Sequence, residues 1–321
     1  MLNKTATHLR KANNAITADL NLSEFFNILI PLIASGLAVY LFKLEASTGL
    51  SNLMPFIIGG FAIHIVLPIR YKLPFFFSLC IVALFVILGM ETSVWILALG
   101  MGLFGVTQMP VALSTKKYII LASTALIAIL FLNGAFPNKV IPVLGGIFMF
   151  RMIAYLHEMQ HQKQPEGIWM QLSYFFLLPN LIFFIFPVVD YKVFTSSYYR
   201  KPAYATYQKG LIWIANGLLH LFLYRIIYYY LIPAPSSITT VYDLLLFLVA
   251  SYALIVRLAG IFHFSAGVIC LFGFDLPPTF QHYFFAQNFS DLWRRINIYW
   301  RDFVMKVFYY PIFFKIKHIG T

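Results

Sequence analysis

Nine runs of apolar residues, most of them close to the length that crosses a bilayer, follow one another with only short polar breaks. They fall near 25–42, 53–69, 74–90, 93–113, 118–134, 140–156, 170–189, 211–232 and 241–273, and a shorter one covers 303–314. A membrane-spanning helix needs about 20 mostly apolar residues, so the pattern predicts roughly nine to ten membrane segments. Backbone polar groups inside lipid must be satisfied within their own segment, which leaves helices as the solution for runs of this kind. The expected fold is therefore all-α, a polytopic membrane helical bundle. A polar tail over 1–24 precedes a single transmembrane domain over 25–321.

Composition supports the same reading. Charged residues make up 11% of the 321-residue chain and hydrophobic ones 61%, whereas a soluble domain carries about 25% charged residues. Such a chain cannot cover a water-facing globule, but in lipid it has no need to. Aromatic residues at 18% fit the interfacial enrichment of Trp and Tyr. The net charge of +12 resides mainly in short loops between apolar runs. That distribution points to topology signals and anionic headgroups, with no solvated basic domain for nucleic acid. Cys80 and Cys270 lie in apolar runs and read as small buried hydrophobes. Residues 1–24 carry Lys4, Arg10 and Lys11 and no small-residue cleavage site follows, so the first apolar run reads as a span, not a signal peptide.

Basic residues in alternate early loops favour a cytoplasmic N-terminus. The loop at 190–210 breaks this alternation with Lys192, Arg200, Lys201 and Lys209. Either a nearby segment does not span, or that loop has its own use for charge. In 241–273, Gly260 and Gly267 mark the expected weak points of a long helix.

Three places carry candidate chemistry. The first is His157-Glu158-Met159-Gln160-His161, an H-E-x-x-H pattern that puts two His on one helix face for zinc with the Glu as base. It lies at the end of an apolar run and lacks a convincing third ligand, so a helix end facing interfacial water is the plainer reading and no metal is expected. The second is a set of polar residues within apolar runs: Arg151, Asn180, Asp190, His220, Arg225, Arg257 and His263. Ionisable groups there cost about 2.5–3.5 kcal/mol at a helix centre and usually face the bundle interior. Arg225, beside a cluster of Tyr, reads as a snorkelling interfacial residue. Arg257 and His263 read as lining an internal, substrate-binding path.

The third is Gly273-Phe274-Asp275-Leu276-Pro277-Pro278-Thr279-Phe280, followed by Phe289-Ser290-Asp291-Leu292-Trp293-Arg294-Arg295-Ile296-Asn297-Ile298-Tyr299-Trp300. Pro277 and Pro278 stop the preceding helix. Ser290 or Asp291 can cap a new helix, whose i, i+4, i+7 spacing would set Trp293, Asn297 and Trp300 on one face. Asp302 is placed to pair with Lys306. Read without any relative, this is an amphipathic interfacial helix with aromatic anchors.

The stretch Gly273 to Pro311 resembles the signature region of membrane-bound O-acyltransferases, bacterial type. The matching elements are Gly273, Phe274, Leu276 and Pro277; Trp293, Arg294, Arg295 and Asn297; Phe303; and Tyr309 with Pro311. Phe186 to Lys192 is also similar to a stretch further upstream in that family. The resemblance covers about forty residues well. It implies transfer of an acyl group from a thioester donor, acyl-CoA or acyl carrier protein, to a hydroxyl acceptor on a polysaccharide, lipid or protein. The implied setting is a multi-pass protein of the bacterial inner (cytoplasmic) membrane, in contact with membrane lipids. The family's polar active-site position falls on Asn297, with Trp293, Arg294, Arg295 and Trp300 as substrate-binding neighbours. The family's second residue, a His several dozen positions further on within an apolar helix, has no counterpart before Thr321. The expectation is a fragment with little turnover of its own. Two rival functions remain open at this point: an intramembrane zinc metallopeptidase on His157, Glu158 and His161, and a non-enzymatic transport or export component using Arg257 and His263.

Overall fold

A computed structural model describes residues 22–160, 167–183, 188–231, 233 and 235–319. Among these the chain is helical, without a strand. In chain order the helices are α1 (Leu22–Leu41), α2 (Leu50–Val66), α3 (Ile69–Leu88), α4 (Met90–Gln108), α5 (Leu113–Leu132), α6 (Val140–Leu144) and α7 (Phe150–Met159). They continue with α8 (Ile168–Phe175), α9 (Tyr191–Ser197), α10 (Ala203–Tyr230), α11 (Val241–Tyr252) and α12 (Leu254–Leu271). The last three are α13 (Phe289–Arg295), α14 (Ile298–Val304) and α15 (Tyr310–Ile319).

Among the described residues, six helices are long and apolar enough to cross a membrane: α1, α3, α4, α5, α10 and the continuous α11–α12 pair. α2, at 17 residues, is apolar but shorter. The remaining apolar runs fold otherwise. A π-helical turn at Gly145–Met149 joins α6 to α7. The run at 170–189 is not one helix. α8 ends at Phe175, and a 3₁₀ turn at Leu178–Leu181 follows, with Pro179 inside it. Residues 170–182 of this run are buried within the protein.

Helix ends follow local chemistry. α2 stops at Val66 because Leu67 is extended before Pro68, and α4 stops at Gln108 because Met109 is extended before Pro110, the conformation a following proline imposes. α3 and α4 are separated at Gly89, whose φ is 81°. Thr240 and Asp243 form a reciprocal capping box at the start of α11.

The chain divides into two compact units, residues 1–69 with 197–298, and residues 70–196 with 299–321. In the first unit α10 packs along α12 at very short range. A Cβ on Gly217 would lie 2.6 Å from the Phe264 backbone nitrogen, and one on Gly267 would lie 2.7 Å from the Gly210 carbonyl oxygen. Gly260 and Gly267 are thus contact points of a helix pair, the small-residue packing of membrane interiors, and the expected weakness there is not found. The break in the long run falls instead at Ala253, between α11 and α12.

In the second unit, Phe148 stacks on Phe175 with ring centroids 5.2 Å apart, and Gly100 admits the Phe148 ring where a Cβ would come within 2.7 Å. Arg151 is buried at 1% exposure. Its guanidinium donates to the carbonyls of Tyr174 (3.2 Å) and Phe175 (2.9 Å) and to the Asn180 side chain. A cation is thereby held at the C-terminal, negative end of α8.

Candidate functional site

The Gly-Phe-Asp-Leu-Pro turn is held against the chain just before α10. Tyr199 donates its backbone N–H to the Gly273 carbonyl at 2.7 Å, and Asp275 donates to the Ser197 carbonyl at 3.0 Å. Tyr198 and Phe274 form an antiparallel bridge between these hydrogen bonds. Gly273 has φ 94°, and a Cβ there would strike the Tyr199 ring at 2.5 Å. Both facts require glycine at this position.

This pairing carries Asp275 into the interior, where its side chain is 0% exposed. Three cations meet it: Arg200 at 2.8 Å, Lys201 at 3.2 Å and Lys209 at 2.5 Å. Lys209 also donates to the Leu276 carbonyl at 2.6 Å and lies 4.7 Å from the Trp213 ring centre. Burial alone would raise the Asp275 carboxyl, but hydrogen bonds from Lys209 and Arg200 outweigh it and bring the pKa down to about 2. Three cations around one carboxylate leave a local excess of two positive charges, with Arg200 and Lys201 more than half exposed. The basic loop that broke the topology pattern thus has a structural use. A lone acid at the end of the long apolar run before Pro277, together with that misplaced basic loop, is the sequence signal for this cluster.

The Trp-Arg-Arg-x-Asn half departs from a continuous helix. Asn288, not Ser290 or Asp291, caps α13, accepting from the Asp291 backbone at 2.9 Å. Arg295 pairs with Asp291 at 2.9 Å. α13 then ends at Arg295, Ile296 is extended, and Asn297 takes the left-handed conformation with φ 41°, which Asn tolerates better than most residues. α14 starts only at Ile298. Trp293, Asn297 and Trp300 therefore do not share one helix face. The break has a cause. It frees the Arg295 carbonyl to accept from Gln281 N–H at 3.0 Å and the Ile298 N–H to donate to the Thr279 carbonyl at 3.0 Å. The segment after the Pro-Pro stop is thereby tied on both sides of Asn297. Asn297 is half-buried, while Trp293 and Arg294 are exposed.

Trp300 belongs to the second unit, where it meets Phe150 and Phe303 at 4.9 and 5.4 Å between ring centroids. Asp302 pairs with its neighbour Arg301 at 2.6 Å. Lys306, the partner expected for Asp302, instead bridges Glu158 at 2.6 Å and Asp190 at 2.5 Å.

Other candidates have defined partners. Glu158 of the H-E-x-x-H motif is the carboxylate held by Lys306, and His161 lies outside the described residues. Among the described residues no group of three or more His, Cys, Asp or Glu is placed to hold a metal ion. Arg257 forms a two-point ion pair with Glu45 at 2.7 and 2.6 Å. His263 stacks on His220 at 5.6 Å, each ring Nδ1 meeting the carbonyl four residues earlier at 2.7 Å. Arg257 is thus taken up by the turn after α1, while His263 also lies 6.2 Å from the Phe280 ring, between the two residues, Thr279 and Gln281, that are tied to Ile298 and Arg295. Arg225, read above as an interfacial residue, has defined partners of its own. It folds onto the end of α1, donating to the Phe42 carbonyl and to the Lys43 carbonyl at 2.6 Å.

Chemically, the Asn297 amide can donate to a carbonyl oxygen without adding charge, and Arg294, Arg200 and Lys201 can meet phosphates. Comparison with known proteins found no matching family model, curated protein or solved structure.

Proposed function

We propose that this chain is a multi-pass integral membrane protein of the O-acyltransferase kind, binding an acyl thioester and directing its acyl group to a hydroxyl. One observation carries the reading. The two halves of the motif, Gly273–Phe280 and Phe289–Trp300, are tied together by main-chain hydrogen bonds that flank Asn297. A plain interfacial helix has no need of that arrangement, nor of a half-buried amide at a left-handed break. In the transfer, the acyl carbon–sulfur bond breaks, the carbon–oxygen bond forms, the hydroxyl proton passes to a base and the thiolate leaves. Asn297 would donate to the thioester carbonyl as negative charge grows there. The exposed Arg294 and the basic pair Arg200 and Lys201 would meet donor phosphates.

The test is binding of a non-hydrolysable acyl-CoA analogue, or of acyl-loaded carrier protein, to the chain in liposomes. Saturable binding above that of empty vesicles is expected. Asn297→Gly removes the amide without straining the backbone and should weaken binding about two- to tenfold, the value of one neutral hydrogen bond. Absence of thioester binding by the wild-type chain would overturn the proposal. Turnover is expected to be low, because general-base catalysis supplies about 10²–10⁴-fold and no base is assigned among the described residues.

A further inference from the structure

At the end of α10 far from the Asp275 cluster, a cavity of about 450 Å³ opens between the α1–α2 turn and helices α10 and α12. Its polar wall includes Lys43, Glu45, Tyr224, Arg225, Tyr228 and Arg257. The charges are three cations and one carboxylate, and they are not equivalently placed. Arg257 is neutralised by Glu45 through two hydrogen bonds. Arg225 has carbonyls, not a carboxylate, as its hydrogen-bond partners, both reached through the same terminal nitrogen. A guanidinium has five N–H donors, so most of its donor capacity is unfilled by the described residues. Lys43 has no ion pair among the described residues either. Two positive charges thus line a cavity whose single acid is already committed.

The surroundings fix the setting. α1 and α10, which end at this cavity, are both long and apolar enough to cross a membrane. Tyr40, Leu41, Tyr229 and Tyr230 beside it are 66–82% exposed, an aromatic collar of the sort found at headgroup level. A cavity with excess cations and tyrosine hydroxyls at that level has the chemistry of a phosphate receptor.

We propose that this cavity binds a phosphate group presented at the membrane surface, with Arg225 and Lys43 as its cationic ligands and an anionic phospholipid headgroup as its source. This site does not depend on the acyl-transfer reading.

The experiment is native mass spectrometry of the detergent-purified chain, titrated separately with phosphatidylglycerol, diacylglycerol and inorganic phosphate. Retention of phosphatidylglycerol with little retention of diacylglycerol is expected. Lys43→Gln should weaken that retention about fivefold, in line with the usual contribution of one basic residue near an anionic membrane surface, and Lys43→Arg should restore it. Arg225→Gln should act in the same direction. Arg225 also caps α1, so if its variant fails to fold, the variant at the exposed Lys43 decides. Inorganic phosphate that displaces the lipid at millimolar concentration, with the same Lys43 dependence, would support the phosphate site and assign it a soluble occupant as well. Equal retention of diacylglycerol, or retention unchanged in Lys43→Gln, would overturn the proposal.

Discussion

Replacing Asp275 by Asn tests the core of the candidate site, because it keeps the shape and removes the charge. The carboxyl is fully buried, and its pKa falls from an ordinary 3.8 to about 2. A tenfold change in proton affinity corresponds to about 1.4 kcal/mol between charged and neutral forms, and with solvent screening at the half-exposed Arg200 and Lys201 the charge stabilises the folded chain by about 1–2 kcal/mol. Asn mimics the neutral form, and Asp275→Asn should cost about that much. The sign with pH follows. A depressed folded-state pKa gives stability that is complete above the unfolded value, near 4, and is lost as pH falls towards 2. Unfolding free energy measured by reversible SDS titration in mixed micelles, from pH 6 down to pH 2.5, should decline below pH 4 in the wild type. In Asp275→Asn this part of the decline should be missing, and the value at pH 6 should already be lower. A variant as stable as wild type at pH 6, or one with the same acid decline, would show that the three cations do not hold the carboxylate as the geometry indicates.

Carbonate extraction should leave the chain in the membrane pellet, and release into the supernatant would remove the membrane reading. Gly217→Val should force α10 and α12 apart, at a cost of about 1–3 kcal/mol or more for an overpacked contact, and a variant of unchanged stability would contradict the 2.6 Å approach. Lys306→Met should strand Glu158 and Asp190 together and cost about 2 kcal/mol, checked by the same SDS titration. Purified protein should hold no stoichiometric zinc, and about one zinc per chain that disappears in His161→Ala would restore the peptidase reading.

Much of the fold is legible in the sequence because its signals are local. Six of the helices that arise from the apolar runs are long enough to cross a membrane, and Pro68, Pro110 and Gly89 place helix ends within a few residues of where the runs weaken. The departures share a different cause. The break at Asn297 exists because Thr279 and Gln281 supply hydrogen-bond partners to its flanks, and periodicity within 290–302 contains no trace of them. The run at 170–189 resembles a span because burial inside protein and burial in lipid select the same residues. The carbonyl partners of Arg225, at Phe42 and Lys43, lie about 180 positions away in sequence, so its local setting contains no trace of them. The candidate residues Asn297, Arg294 and Arg295 are picked out by the motif. Asp275 stands inside the same motif, yet its importance depends on the far basic loop and is invisible locally.

The ionic clusters differ in a way that predicts which substitutions matter. At Asp275 three cations share one acid, so removing Lys201, half-exposed at 3.2 Å, leaves the carboxylate two closer partners. Solvent screens the half-exposed Lys201, and Lys201→Gln should cost about 1 kcal/mol or less, below the cost of Asp275→Asn. Removing the acid leaves all three cations without a counter-ion at once. At Lys306 the stoichiometry is reversed, with one cation between two acids, so the cation is the vulnerable member and Glu158→Gln the mild change. Charge count alone would rank the 23 basic residues as dispensable beside the 11 acidic ones. The geometry ranks instead by which partner is shared: the minority ion at each cluster is the one whose loss strands the others, and at Asp275 two of the majority ions stay more than half exposed.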